Sequence, residues 1–206
     1  ERKSINERVI LVGVCGQEGD DTADSLEELG LLCGTAGAEV VGTLIQNRER
    51  IHPGTYVGSG KVQELAQIAE ETGATGIVCD DELSPAQLSG LGDLLDVKVM
   101  DRTLVILDIF AARATTSEGR IQVELAQLKY RLSRLKGLGR SMSRLGAGIG
   151  TRGPGEKKLE MDRRLISDRI AQLRRELKEV VKHREITRAR RKRNGIPVAA
   201  IVGYTN

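Results

Sequence analysis

Residues 8–29 read RVILVGVCGQEGDDTADSLEEL, and this stretch decides the fold. Residues 8–14 form a short apolar run without the polar alternation of a half-exposed strand. Gly, Asp and Thr residues follow and punctuate a helix start, after which Leu26, Leu29, Leu32, Cys33 and Ala36 recur at helical spacing. A strand, a polar turn and an amphipathic helix make one βα unit. An all-apolar strand is the kind that helices cover on both faces.

The unit repeats. Residues 39–47 (EVVGTLIQN) give a second strand, and 61–71 give a helix with Leu65, Ile68 and Ala69 on one side. Residues 75–80 give a third strand, followed by a helix with Ser84 as N-cap and Pro85 at its first position. Residues 97–100 give a fourth. The prediction is an α/β fold, a small parallel sheet with flanking helices, over residues 1–100. TYVGSGKVQEL (55–65) ends like a phosphate loop at Gly60 and Lys61, but Thr55 stands where such a loop needs its first glycine and Val62 where it needs Ser or Thr. A glycine turn entering a helix accounts for it, and His52 nearby reads as a loop residue.

From Asp101 the strand signal stops. DRTLVILDIFAARATT reads as a helix capped by Asp101. Ile121, Leu125, Leu128, Leu132 and Leu135 then recur at alternating spacings of four and three, as do Ile166, Ile170, Leu173, Leu177 and Val180. That is the apolar seam of paired helices, so residues 101–195 are predicted to form a long antiparallel helical hairpin, a coiled coil. Its second helix should run from Glu156 to about Lys192, roughly 55 Å at 1.5 Å per residue.

Charge divides the chain at the same place. The net charge of +3 hides −12 over residues 1–119 and +15 over residues 120–193. An acidic body should be repelled by nucleic acid, and an arginine-rich one should seek it. Between the helices, residues 137–156 (GLGRSMSRLGAGIGTRGPGE) hold seven glycines with Arg140, Arg144 and Arg152 interleaved, read as a loop at the hairpin tip. Glycine lets a backbone approach another surface closely, and arginine offers planar donors to phosphates and base edges. Candidate RNA contacts are therefore Arg140, Arg144, Arg152, Lys157 and Lys158 around the tip, with Arg190, Arg191 and Arg193 in the run RARRKRNG.

Composition excludes several classes. Three scattered cysteines, Cys15, Cys33 and Cys79, with no C-x-x-C, support neither a disulfide framework nor a zinc site. No apolar stretch reaches membrane-spanning length, which points to a soluble, cytoplasmic protein, expected to be monomeric. The final stretch, IPVAAIVGYTN, is a short apolar strand running into a glycine turn at Gly203. Phosphate-binding loops begin this way, and so do ordinary terminal strands.

GIGTRGPGEKKLEMDRR (148–164) resembles the signature of the HflX family of translational GTPases, with a long basic helix after it. The likeness extends to TYVGSGKVQEL, to residues 101–135 and to VAAIVGYTN. The resemblance implies an N-terminal α/β domain, a helical hairpin and then a Ras-like G domain. It also implies binding to the large ribosomal subunit and its rRNA, and GTP hydrolysis with Mg²⁺ that in some members separates the subunits of stalled ribosomes. By that likeness Gly203, Tyr204, Thr205 and Asn206 are the first half of a nucleotide-binding cradle, and residues 196–206 open the G domain. No N-K-x-D guanine-reading motif occurs in these 206 residues, and the chain alone is expected to be inactive in GTP hydrolysis. Two other readings remain: a stand-alone RNA-binding module without an enzymatic role, and an α/β head that binds a nucleotide of its own at its strand ends.

Overall fold

The computed structural model describes residues 7–16, 21–145 and 154–195, with side chains placed except at 136–145 and 154–159. Four strands, β1 (Arg8–Cys15), β2 (Glu39–Asn47), β3 (Gly76–Cys79) and β4 (Lys98–Asp101), form one sheet in the order β2-β1-β3-β4. Every pairing is parallel. Helices α1 (Thr22–Ala36), α2 (Ser59–Thr72) and α3 (Pro85–Leu95) are the crossovers, and α4 (Arg102–Arg113) follows the last strand.

The two faces of the sheet follow from strand geometry, because successive side chains point to opposite sides. Ile10 and Val12 of β1 join Leu65 of α2 and Leu91 of α3 in one core. Val9 and Leu11 join Leu26 and Leu29 of α1 and Val105 of α4 in the other. Strands buried on both faces must be apolar throughout, which explains the unbroken run in β1. Cys33 and Cys79 are buried, free thiols. Burial pushes Cys33 up to about 11 despite the opposing pull of Arg102, so the thiol stays protonated and unreactive.

Two details differ from the sequence reading. Helix α2 starts at Ser59, not Lys61, because Gly58 takes an extended conformation and serves as N-cap. Its amide donates to Gln46 Oε1 at 2.8 Å, and Lys61 pairs with Glu64 at 2.7 Å. The phosphate-loop echo is thus occupied from within. His52 is more than a loop residue: its Nδ1 accepts from the amides of Gly54 and Thr55 at 3.2 and 3.1 Å and so organises the turn.

This turn explains a glycine inside α3. A Cβ on Gly90 would sit 2.2 Å from the carbonyl oxygen of Gly54. Gly90→Ala would favour an exposed helix by about 1 kcal/mol. Here it should instead destabilise by roughly 1–3 kcal/mol, because backbone must move to admit the methyl. A chemical-denaturation midpoint equal to or above the parent's would contradict this.

Beyond α4 lie two long helices, α5 (Ser117–Leu145) and α6 (Pro154–Arg193). They run antiparallel: Glu118 pairs with Arg184 at 2.6 Å and Glu124 with Arg169 at 2.8 Å. Leu125, Ile170 and Leu173 are buried between them, flanked by Ile121, Leu128, Leu132, Ile166 and Leu177. Eight of the ten residues read from the spacing pack together in this seam; Leu135 and Val180 are half-buried outside that cluster. The tip, however, is shorter than its glycine content suggested, since residues 137–145 continue α5. A helix already nucleated propagates cheaply, and the penalty of about 1 kcal/mol at each of Gly137 and Gly139 does not stop it. Pro154 opens α6, where its missing amide costs no helical bond.

Candidate nucleic-acid interface

The arm consists of a narrow apolar seam and a broad charged surface. At 40 residues α6 is about 60 Å long, longer than α5, so its last turns extend past the start of α5. Residues 182–195 are exposed throughout. Arg190, Arg191 and Arg193 stand in this end, with Lys192 also in the last turn. Gly195 closes the helix at φ 66°, its amide donating to the carbonyl of Lys192. Cations there complement the negative end of the helix dipole, and their side chains enter none of the ion pairs found among the described residues.

The other arginines of α6 divide into three sets, the first being Arg163 and Arg164, which pair with Glu160 of the same helix. Arg169 and Arg184 tie α6 to α5 through Glu124 and Glu118. Arg174, Arg175 and Arg188 are exposed and have no carboxylate partner among the described residues. Periodicity did not single these three out, although each occupies a position off the 4-3 seam, which is the signal that finds them. Their charge is not neutralised internally and is available to phosphates.

Of the predicted contacts, Arg140 and Arg144 belong to the C-terminal part of α5, and Lys157 and Lys158 to the first turns of α6. Arg152 lies outside the described residues, as do Gly203, Tyr204, Thr205 and Asn206.

At its other side the arm meets the head around Asp101, which is completely buried. Asp101 Oδ1 accepts from the amide of Leu104, capping α4 as predicted, and from Tyr130 Oη at 2.7 Å. Its Oδ2 accepts from the amide of Leu83 at 3.2 Å and from Arg134 Nη2. Burial, together with the hydrogen bond to Asp101, raises the Tyr130 phenol far above its ordinary range, so it remains a donor at all working pH. The guanidinium of Arg134 lies over the Tyr130 ring, 3.2 Å from its centroid. Nothing in the spacing of Tyr130 or Arg134 reveals this contact with a residue 29 or more positions earlier.

At the carboxyl end of β3, where a parallel sheet receives ligands, two acidic side chains are engaged by the protein itself. Asp80 accepts from Arg102 at 2.7 Å, and Asp81 accepts from Tyr56 Oη at 2.7 Å. Among the described residues no cluster of His, Cys, Asp and Glu fits a metal ion, and no helix is long and apolar enough to cross a membrane.

Residues 23–111 match the family model described as GTP-binding GTPase N-terminal, and residues 113–191 match the GTP-binding GTPase Middle Region. The chain is 65% identical over 206 residues to the GTPase HflX of Lacrimispora saccharolytica, covering all of this chain and 49% of that protein. It is 42% identical over 206 residues to the GTPase HflX of Escherichia coli, again covering all of this chain and 48% of the relative. The chain therefore spans about half the length of the curated relatives it matches. A crystal structure of an SsGBP and GDP complex shares the fold with a TM-score of 0.61 at 21% identity, over 86% of this chain and 45% of that one. A GTP-binding protein of Sulfolobus solfataricus in complex with GDP gives a TM-score of 0.55 at 22% identity, over 83% of this chain and 45% of its own. With two adjoining family models and relatives this similar along its whole length, the chain belongs to the HflX family of GTPases.

Proposed function

We propose that this chain is the RNA-facing half of a ribosome-associated GTPase. In this reading residues 1–100 form an acidic head, 101–195 a basic arm, and 196–206 the entry to a nucleotide-binding domain. Helix α4 falls in the arm's part of the sequence but packs on the head. The observation that carries the reading is the set of exposed α6 arginines without a carboxylate partner among the described residues, Arg174, Arg175, Arg188, Arg190, Arg191 and Arg193, on a packed helical hairpin. Such a surface binds phosphate backbones through charge and leaves register and specificity to the ends of the arm. The partner proposed is the large ribosomal subunit through its rRNA, in the cytoplasm, with the protein acting as a monomer and separating stalled subunits.

GTP and Mg²⁺ belong to the proposal through the family. Gly203, Tyr204, Thr205 and Asn206 would contribute backbone donors to the phosphates. The full G-x-x-x-x-G-K-[ST] pattern does not occur within these 206 residues, and in this reading the chain alone releases no phosphate from GTP.

The experiment compares the chain with its Arg140, Arg144 and Arg152→Ala variant. Affinity for purified large subunits at fixed salt should fall about tenfold or more, as expected when three arginine donors are removed. The melting temperature should stay nearly the same, since alanine keeps the helix propensity of arginine at 140 and 144 in α5. Equal affinity would show the tip to be passive, and steady GTP turnover by the chain would refute its assigned inactivity. A stand-alone RNA module would bind free RNA as well as it binds subunits.

A further inference from the structure

We infer that Asp101, Tyr130 and Arg134 form a latch that sets the direction of the arm relative to the head. Three features lead there. The contacts converge from separate elements: Leu83 before α3, Leu104 in the first turn of α4, and Tyr130 and Arg134 on α5 all bond one carboxylate. The same Arg134 nitrogen, Nη2, also reaches the carbonyl of Leu83 at 3.5 Å, so one donor group touches both the β3–α3 loop and the end of β4. A carboxylate bonded from several separate elements fixes their relative placement, whereas apolar contact permits sliding.

The second feature is desolvation. The Arg134 side chain is 12% exposed and that of Asp101 is fully buried. Replacing a buried ion pair with apolar side chains is often neutral or favourable for stability, so such a pair is a poor choice for adhesion alone. Its distinctive property is that it cannot loosen gradually, because a half-broken pair leaves a bare charge in the interior. The junction is therefore either closed or open.

Leverage is the third. From Ile166, which lines one cavity with Arg134, to Arg193 is about 40 Å along α6, so a tilt of about ten degrees at the latch moves the basic end by about 7 Å. That exceeds the reach of a hydrogen bond to phosphate. The latch thus acts as a positioning device for both ends of the arm, and it holds whether or not the partner is ribosomal.

The test measures geometry directly. Spin labels at Glu70→Cys on the head and Asp168→Cys on the arm, in a Cys15→Ser background, report the distance distribution by pulsed dipolar spectroscopy. Cys33 and Cys79 are buried and stay unlabelled. The full chain should give one narrow distance. Tyr130→Phe, which keeps the ring and removes one hydrogen bond, should broaden it, and Arg134→Met should replace the narrow peak with a wide distribution. Arg134→Lys, which keeps the charge but not the planar group over the Tyr130 ring, should keep only part of the narrowing. Circular dichroism checks that each variant keeps its helices. If Arg134→Met were to unfold, Tyr130→Phe and Arg134→Lys decide the matter alone. Parent-like narrow peaks in the folded variants would overturn the latch, whatever their affinity for ribosomal subunits.

Discussion

Leu173→Asp is expected to part the two helices of the arm while the head stays folded. Leu173 is 1% exposed, and only Leu125 and Ile170 are buried with it in the arm's own cluster. Removing a buried leucine's packing costs about 2–5 kcal/mol, and placing an unpaired carboxylate in that seam adds a desolvation cost of similar size. Among the described residues the seam rests on three buried residues and five half-buried neighbours, which leaves little apolar surface to compensate. Neither helix is expected to be stable alone, because α6 is mostly charged outside the seam, and its exposed Met161, Leu165 and Ile186 pack against nothing in that cluster. The two cores of the head contain no residue of α5 or α6, so their unfolding transition should persist. Thermal scans by circular dichroism should show a large loss of helix at low temperature and a retained cooperative transition. Large-subunit binding should fail as a consequence. A single transition at the parental temperature would show that the arm does not depend on this seam.

Reversing Arg190, Arg191 and Arg193 to Glu should produce the largest change in binding without unfolding. The change takes residues 120–193 from +15 to +9, concentrated at one exposed helix end. Each phosphate that a cation neutralises adds about one unit to the slope of log affinity against log salt, so without these three the slope should fall by about three. Part of the response will be local, since carboxylates beside the negative end of the dipole cost up to about 1 kcal/mol each and fray the last turn. The corresponding Gln variants separate these effects, removing the attraction without adding repulsion. Salt slopes that match across parent, Gln and Glu proteins would confine these arginines to capping the helix.

How much of this was legible depends on range. Apolar runs and glycine punctuation marked all four strands, and the Ser84 and Asp101 caps marked two helix starts, because each signal lies within a few residues. The 4-3 spacing found Leu125, Ile170 and Leu173 for the same reason, since helical periodicity projects a stripe that must be buried. Residues 137–145 misled, because glycine reports only the cost of a helix there and not the cooperative gain of extending one already about 20 residues long.

The sequence by itself determined the parallel α/β head, the paired helices and the separation of acidic from basic charge, all of them properties of local composition and period. Only the tertiary structure decided the strand order, the retention of α4 by the head, and the burial of Asp101 beneath Tyr130 and Arg134. The last of these depends on hydrogen bonds between groups 29 and 33 positions apart. Such a bond has no periodic trace in the chain, because it arises only after burial has excluded water and left one carboxylate with four donors to satisfy it.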